Sequence, residues 1–297
     1  MLLNGAGEPI PAQLVNVDYI QRGVGGSLFS AGFGGAALTD RDGAFELRNL
    51  PPGEYNVYST NQNESAMAAV TLADADVSGV VLIPRRASPL SGAVVTDEGG
   101  APPFPAGRVR ISPIAGGRES VLPAWGAPTP QTPGSDWSFR FPSIDGPYLF
   151  RVIGLPDEWM LAAVQSGNRD VTDTPLDIPR GRDTSGVRIV LSRKSGKLEG
   201  LAVDRNGAPI ADSTVIVFAA DPSRWQPATR FVKTARSRSN GTFSVAGLPP
   251  GSYRAIAKDF AADGQWEDPD FLQSLSPDAS SVELREGAPA TLTLRVG

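Results

Sequence analysis

The stretch AFELRNLPPGEYNVYS, residues 44–59, recurs in closely related form as TFSVAGLPPGSYRAIA at residues 242–257. In both copies apolar residues fall on alternate positions before Leu-Pro-Pro-Gly, which is the period of a β-strand with one buried face. An Asp-Gly or Asn-Gly pair just before each copy supplies the positive φ of a hairpin turn. Pro-Pro withholds two backbone donors, so strand pairing stops there and the chain crosses over. The stretch therefore predicts a strand, a crossover and a second strand, twice in one chain.

A tyrosine follows the glycine by two positions in both copies, at Tyr55 and Tyr253. This placement resembles a tyrosine corner, in which the ring is buried and the hydroxyl bonds a nearby backbone group. Such a corner stabilises a β-sandwich whatever the protein binds. The repeated residues therefore indicate scaffold rather than chemistry.

The middle of the chain carries a third, weaker copy. Its alternating pair is Phe139 and Phe141, and SIDGPY stands where the other copies have Leu-Pro-Pro-Gly-x-Tyr. The opening GAVVTDEGGAPP (92–103) parallels GLAVDRNGAPI (200–210), and the ending DVSGVVLI (76–83) parallels DTSGVRIV (183–190). We predict an all-β protein of three tandem, seven-stranded Greek-key-type β-sandwiches, here called repeat one (1–87), repeat two (88–195) and repeat three (196–297).

Repeat three shows the pattern most fully. We predict its strands at residues 198–203, 213–219, 229–236, 241–246, 252–258, 280–285 and 290–296, with a helical turn within 266–275. In repeat one only MLL precedes the first turn, where repeat three has LEGLAV. We therefore expect repeat one to lack its first strand, and Met1 to follow residues, including an export signal, that this sequence does not contain.

These residues resemble the carboxypeptidase regulatory-like domain, whose pattern is G-x-V-x-D-x-x-G-x-P followed by D-G-x-F and L-P-P-G-x-Y. Repeat three matches it at Gly200, Val203, Asp204, Gly207, Pro209, Asn240, Gly241, Phe243, Leu248, Pro249, Pro250, Gly251 and Tyr253. The resemblance implies a prealbumin-like sandwich, grouped with carbohydrate-binding-like folds. It also implies an extracytoplasmic place, secreted, periplasmic or on the cell surface, in a multi-repeat bacterial protein.

Composition excludes several kinds of chemistry. The chain has no cysteine and no histidine, so it has no disulfide, no thiol nucleophile and no imidazole base or metal ligand. A net charge of -5 argues against nucleic acid as a partner. No apolar run approaches the ~18 residues of a membrane-spanning helix. We predict no catalytic residues, no metal and no cofactor.

Three short patterns have an alternative chemical interpretation. Asp40-Arg41-Asp42-Gly43 begins like a calcium loop, but no bidentate acid follows, and a hairpin turn is favoured. The glycine-rich run at 23–35 lacks the Gly-Lys-Ser/Thr of a phosphate loop, so we predict an inserted loop. A set of acids in repeat two could supply a glycosidase carboxylate pair, although solvated loop positions are favoured. That set is Asp157, Glu158, Asp170, Asp173 and Asp177.

Tryptophans give the one positive indication of binding. Four of the five lie in or beside predicted loops, and sugar-binding modules use exposed aromatic planes near acidic residues. The four are Trp125, Trp137, Trp225 and Trp266. The candidate carbohydrate site comprises Trp225, Trp266 and Asp268. The alternative is that these rings cap the open ends of the sandwiches, and we predict that Trp159, which begins an apolar run, is a core residue.

The sequence thus favours a non-catalytic spacer or interaction scaffold of an exported bacterial protein. One alternative is a carbohydrate-binding module with a polysaccharide as its partner. Another is an accessory domain of a peptidase or outer-membrane receptor, in which case the partner is another surface protein. The zinc site of an adjoining carboxypeptidase could not lie in this chain, because it has no histidine.

Overall fold

The computed structural model describes residues 1–22, 28–31, 35–61, 64–86, 88–116, 128–226 and 228–297. The fold is all-β, as predicted: strands run through the whole described chain, with one short α-helix and three 3-10 turns. No helix among these residues has the length and apolarity to span a membrane. The predicted loop at 23–35 contains strand β2, and its residues 23–27 and 32–34 lie outside the described residues.

Repeat one forms a single large sheet. Its strands are β1 (Leu14–Arg22), β2 (Leu28–Ala31), β3 (Ala36–Leu38), β4 (Gly53–Thr60), β5 (Glu64–Leu72) and β6 (Arg85–Arg86). The order is β2-β1-β4-β5-β6, and β3 also pairs with β1. Facing this sheet, residues 44–50 form no strand, so the strand predicted there is wrong. Two isolated bridges lie on that side of the described structure, Leu2 to Leu82 and Leu3 to Pro9.

Repeat two forms two sheets. The strands are β7 (Ser88–Thr96), β8 (Arg110–Ala115), β9 (Ser138–Ile144), β10 (Gly146–Ile153), β11 (Met160–Ser166), β12 (Arg169–Asp170), β13 (Leu176–Ile178) and β14 (Thr184–Ser192). One sheet has the order β12-β11-β14-β7-β9 and the other β13-β10-β8. Strands β7 and β14 are parallel, and all other pairs are antiparallel. The extra edge hairpin β11–β12 departs from the predicted seven strands.

Repeat three has a strand at each of the seven predicted positions. They are β15 (Gly196–Val203), β16 (Thr214–Ala219), β17 (Val232–Arg236), β18 (Thr242–Leu248), β19 (Gly251–Lys258), β20 (Ser280–Leu284) and β21 (Pro289–Arg295). The sheets have the orders β18-β15-β21 and β17-β16-β19-β20. The predicted helical turn is helix α1 (Pro269–Leu275), whose Leu272 and Leu275 are buried. Pro269 suits the first turn, because its missing N–H has no intrahelical partner there.

Three clusters of buried apolar side chains lie along the chain. One draws its members from residues 2–82, the second from 90–191 and the third from 198–296. Each cluster therefore falls within one of the three predicted repeats, although the boundaries between the repeats stay a prediction. The tyrosine corners are present: the hydroxyl of Tyr55 donates to the carbonyl of Pro51 at 2.6 Å, and that of Tyr253 to Pro249 at 2.7 Å.

A glycine lies under an aromatic ring in the first strand of repeats two and three. A Cβ added at Gly200 would lie 2.1 Å from the carbonyl oxygen of Leu292 and 2.5 Å from Cζ of Phe243. At Gly92 the corresponding distances, to Val187 and Phe139, are 2.0 Å and 2.6 Å. Contacts this short are sterically forbidden for a close-packed interior. The glycine that opens both repeats is therefore a packing requirement.

Candidate functional site

Trp225 lies in the core of repeat three. It follows a 3-10 turn (Pro222–Arg224), and its side chain is only 3% exposed. The indole Nε1 donates to the carbonyl of Ala219 at 2.8 Å, and the ring meets Phe218 edge-on with centroids 5.6 Å apart. A buried indole whose N–H is already bonded has no free face for a sugar ring. Trp225 therefore contributes to stability at this position.

The two other members of the candidate carbohydrate site are also engaged within repeat three. Trp266, in the 3-10 turn Gln265–Glu267, is partly buried against the same core. It borders a cavity of about 70 Å³ together with Trp225. Ligand pockets for drug-sized molecules are usually about 300 Å³ or larger. The carboxylate of Asp268 accepts from the backbone N–H of Asp270 at 2.9 Å and so caps helix α1. The rings of Trp225 and Trp266 thus lie close together at the core of repeat three. The Asp268 carboxylate is bonded to the first turn of helix α1 instead.

The remaining tryptophans in the described residues are buried as well. Trp137 and Trp159 are each 5% exposed and both meet Phe104 edge-on, with centroids 5.4 Å and 5.3 Å apart. The core position predicted for Trp159 is confirmed. Trp125 lies outside the described residues.

Several of the acidic residues accept hydrogen bonds in turns or form ion pairs. Asp40 accepts from the N–H of Asp42 at 2.9 Å and of Ala44 at 2.8 Å, so the sequence forms the predicted turn, although no strand follows it to make a hairpin. Asp170 accepts from Thr172, and this hydrogen bond lowers the pKa of the Asp170 carboxyl. A glycosidase acid needs a raised pKa, so Asp170 has the wrong shift for that role. Within the described ranges, no three acidic residues group closely enough to hold a metal ion.

A polar network of described residues lies at the junction of repeats two and three. Arg230 precedes β17, and its guanidinium reaches across to Asp173 of repeat two. Nη2 lies 2.9 Å from Oδ2, while Nε lies 3.1 Å and 3.2 Å from the two carboxylate oxygens. Nη1 also donates to the backbone carbonyls of Leu161 and Ala162, at 3.1 Å and 3.2 Å. Planar two-point pairing of this kind is strong and directional.

Arg151 of β10 crosses the same junction in the opposite direction. Its Nε donates to the carbonyl of Ala228, in repeat three, at 2.7 Å, and its Nη1 to Thr172 at 2.7 Å. Nη2 lies 3.4 Å from Oδ1 of Asp173, so this carboxylate receives both guanidinium groups. Burial lowers the pKa of Arg151, yet an arginine stays charged in proteins. Arg151, Asp173 and Arg230 are called the junction triad below.

The backbones of repeats two and three also approach each other closely at the junction. A Cβ added at Gly247 would lie 2.9 Å from the carbonyl oxygen of Trp159 and 2.7 Å from Nζ of Lys233. Lys233 donates to the carbonyl of Ala246 at 2.7 Å, and burial lowers the pKa of its amine. A cleft of about 450 Å³ remains between the repeats, lined partly by these side chains and by Trp159. Its arginine and lysine side chains already donate to protein oxygens, so these donors are not available to bind a ligand in the cleft.

A side-chain hydrogen bond also joins repeats one and two. Arg180 pairs with Asp145 at 2.5 Å within repeat two, and its Nη1 donates to the carbonyl of Ser65 in repeat one at 3.2 Å. Sequence reasoning singled out Asp173 only as an acid of repeat two and did not identify Arg151 or Arg230. No local pattern marks an arginine whose partner is 57 or 77 residues away.

Comparisons with known proteins give only remote likenesses. No family model and no curated protein matches the chain. Among solved structures, the Bacillus anthracis TIE protein aligns with 100% of this chain at 14% identity and a TM-score of 0.27. This chain spans only 49% of that protein. A streptococcal ancillary pilin aligns over 99% of this chain and 97% of its own, at 12% identity and a TM-score of 0.30. BcpA, the major pilin subunit of Bacillus cereus, has the same coverage at 10% identity and 0.24. Scores this low support no argument about function.

Proposed function

We propose that this chain is a non-catalytic array of β-sandwiches that acts as a spacer or interaction scaffold of an exported protein. The observation that carries the proposal is the junction triad, which ties repeat three to repeat two through side chains from both. A chain of freely jointed domains has no need of such a tie, because interdomain interfaces are by default small and mobile. A rigid junction keeps the two repeats in a constant relative position, which is what a spacer requires.

Several observations support a non-catalytic role. Three of the five acids that could act in glycoside cleavage are committed to hydrogen bonds or ion pairs, namely Glu158, Asp170 and Asp173. The cleft at the junction has its cationic groups bonded to protein oxygens. A carbohydrate-binding role has less support, because Trp225 is buried and Asp268 caps a helix.

The proposal that the protein is exported rests on the resemblance to carboxypeptidase regulatory-like domains. Cell fractionation with an antibody against the chain tests it. Recovery of the protein from the cytosol alone would contradict it.

Rigidity of the junction can be measured directly, since the chain has no native cysteine to interfere with labelling. Spin labels at Arg140→Cys in repeat two and Ser281→Cys in repeat three, both exposed, report one distance by double electron–electron resonance. We expect a narrow distance distribution in the parent and a broad one in Arg230→Ala. The matched control is Arg193→Ala, which removes an exposed ion pair to Glu158 within repeat two. A broad distribution in the parent would overturn the spacer proposal.

A further inference from the structure

Lys233 of β17 carries a partly buried amine that the spacer role does not use. Its Nζ donates to the carbonyl of Ala246 at 2.7 Å. Among the described residues this amine has no other hydrogen-bond acceptor and forms no ion pair. An ammonium carries three donors, so a charged Lys233 would have two N–H groups without a protein acceptor. The position therefore favours the neutral amine more than an exposed surface position does.

The other three lysines of the chain have different surroundings. Lys194 pairs with Asp97 at 3.2 Å, and the hydrogen bond between them raises the pKa of the Lys194 amine. Lys197 pairs with Glu199, and its side chain is 45% exposed. Lys258 ends β19 and does not line the cleft between repeats two and three. Of the four lysines, all of which the structure describes, Lys233 is the one that lines this cleft.

The cleft is suited to a small apolar molecule. Its volume of about 450 Å³ falls within the range of roughly 300 to 1,000 Å³ that is usual for ligand pockets. Apolar side chains from both repeats form much of its wall. They include Leu155, Trp159, Met160 and Leu161 of repeat two and Val232 of repeat three. A mostly apolar wall with a few polar groups is typical of sites for small organic ligands.

The charged groups around the cleft leave the Lys233 amine reactive. Burial lowers the pKa of this amine, and the Asp157 carboxylate opposes that shift without cancelling it. The other charged groups that line the cleft are Arg151, Arg230 and Glu267, and both arginines donate to backbone carbonyls. A neutral amine that donates one N–H to a carbonyl keeps its lone pair, which is a nucleophile. Desolvated lysines of this kind are activated towards carbonyl compounds.

We propose that Lys233 is a covalent attachment site for a small apolar aldehyde that enters the cleft. The amine lone pair attacks the aldehyde carbon and forms a C–N bond. Both N–H protons then leave with the carbonyl oxygen as water, which yields an imine and needs no oxidant or reductant. When protonated, the imine keeps one N–H for the carbonyl of Ala246. The inference goes beyond the spacer role and does not depend on it.

The test uses the full chain with benzaldehyde as the probe and sodium cyanoborohydride to reduce the imine to a stable benzylamine. Peptide mapping by mass spectrometry then follows each lysine separately. At pH 7 we expect Lys233 to be labelled at least about tenfold faster than Lys197, because an ordinary lysine, with a pKa of about 10.4, is almost wholly protonated there. The rate at Lys233 should also saturate with benzaldehyde concentration, since binding in the cleft precedes reaction. Labelling no faster than at Lys197, or a rate that never saturates, would overturn the inference.

Two further probes separate a cleft from an amine that is merely reactive. Benzyl alcohol, which has the same ring and no carbonyl, should slow labelling of Lys233 and leave labelling of Lys197 unchanged. Glyoxylate, whose carboxylate does not suit an apolar wall, should favour Lys233 over Lys197 less than benzaldehyde does. Failure of the alcohol to compete, or equal selectivity for both aldehydes, would rule out a site in the cleft.

Variants give a matched comparison. The fast phase of benzyl incorporation should disappear in Lys233→Arg and persist in Lys197→Arg, and a fast phase that survives Lys233→Arg would contradict the assignment. Because mapping of the unmodified chain needs no variant, the inference stays testable even if Lys233→Arg perturbs the junction. The spin-label distance in the parent is measured without aldehyde, so a failure here is distinguishable from a failure of the spacer proposal.

Discussion

Arg230 of repeat three holds Asp173 of repeat two through three contacts of 2.9 to 3.2 Å, and the same carboxylate also receives Arg151 from its own repeat. Two cations thus share one anion at a border between predicted domains. Arg230 in turn lies over the ring of Phe231, with its guanidinium carbon 4.8 Å from the centroid. The stacked ring and the two carbonyl acceptors hold the guanidinium in one orientation, which a lysine could not reproduce.

Removing this contact should destabilise the junction more than removing a surface ion pair. Arg230→Ala leaves Asp173 and two backbone carbonyls short of a donor, so we expect the free energy of unfolding to fall by about 1.5 to 3 kcal/mol. Arg193→Ala removes a solvent-exposed pair and should cost no more than about 1 kcal/mol. Urea denaturation followed by circular dichroism measures both. Equal costs for the two variants would mean that the junction adds nothing beyond surface electrostatics.

The tyrosine corner of repeat three should stabilise the fold in a pH-dependent way. Tyr253→Phe loses the hydrogen bond to Pro249 and should lower the free energy of unfolding by about 1 kcal/mol at pH 7. Burial raises the pKa of the Tyr253 hydroxyl above its ordinary value of 10.0. The folded state therefore keeps a proton that the unfolded state loses above pH 10, and parent stability falls as pH rises through that range.

Tyr253→Phe has no such proton to lose. The gap in stability between parent and variant, which is full below pH 10, should therefore narrow at pH 11. Urea unfolding at pH 7, 9 and 11 tests this sign. A gap that widens with pH would show that the hydroxyl ionises more easily in the folded state.

Close packing at Gly200 should make it intolerant of any side chain. Gly200→Ala puts a methyl group within 2.1 Å of a backbone carbonyl, and we expect a loss of at least about 2 kcal/mol in the free energy of unfolding. Gly107 has open space around its Cα and no positive φ. Gly107→Ala should change stability by about 0.5 kcal/mol or less. Comparable losses in both variants, measured by thermal and urea unfolding, would contradict the packing explanation.

Trp225 should behave as a core residue rather than as a ligand-binding one. Trp225→Ala should cost about 3 to 5 kcal/mol, the range for truncating a buried aromatic side chain. Trp266→Ala, at a partly buried ring, should cost less.

Affinity electrophoresis on a polysaccharide panel tests the carbohydrate alternative. Retention that is lost in Trp266→Ala but kept in Trp225→Phe would support a sugar site at the surface around Trp266.

Local rules predicted repeat three well, because its strand periods, turns and crossover are all encoded within a few residues. The Asn240-Gly241 turn, the Pro249-Pro250 crossover and the cap at Asp268 each act on their nearest neighbours. The same rules failed at residues 44–50. That segment has the alternation of a strand, but a strand needs a hydrogen-bonded neighbour, and none of the described residues pairs with 45–49 as β15 pairs with β18 in repeat three.

The sequence by itself determined the all-β class, the turns, the tyrosine corners and the glycine that opens two of the repeats, since each depends on backbone conformation over short range. Only the tertiary structure decided that Trp225 is buried and that Arg151, Asp173 and Arg230 meet. Those outcomes depend on which distant segments come together. Burial and ion pairing are properties of that assembled neighbourhood, and no residue type or spacing in the chain specifies them alone.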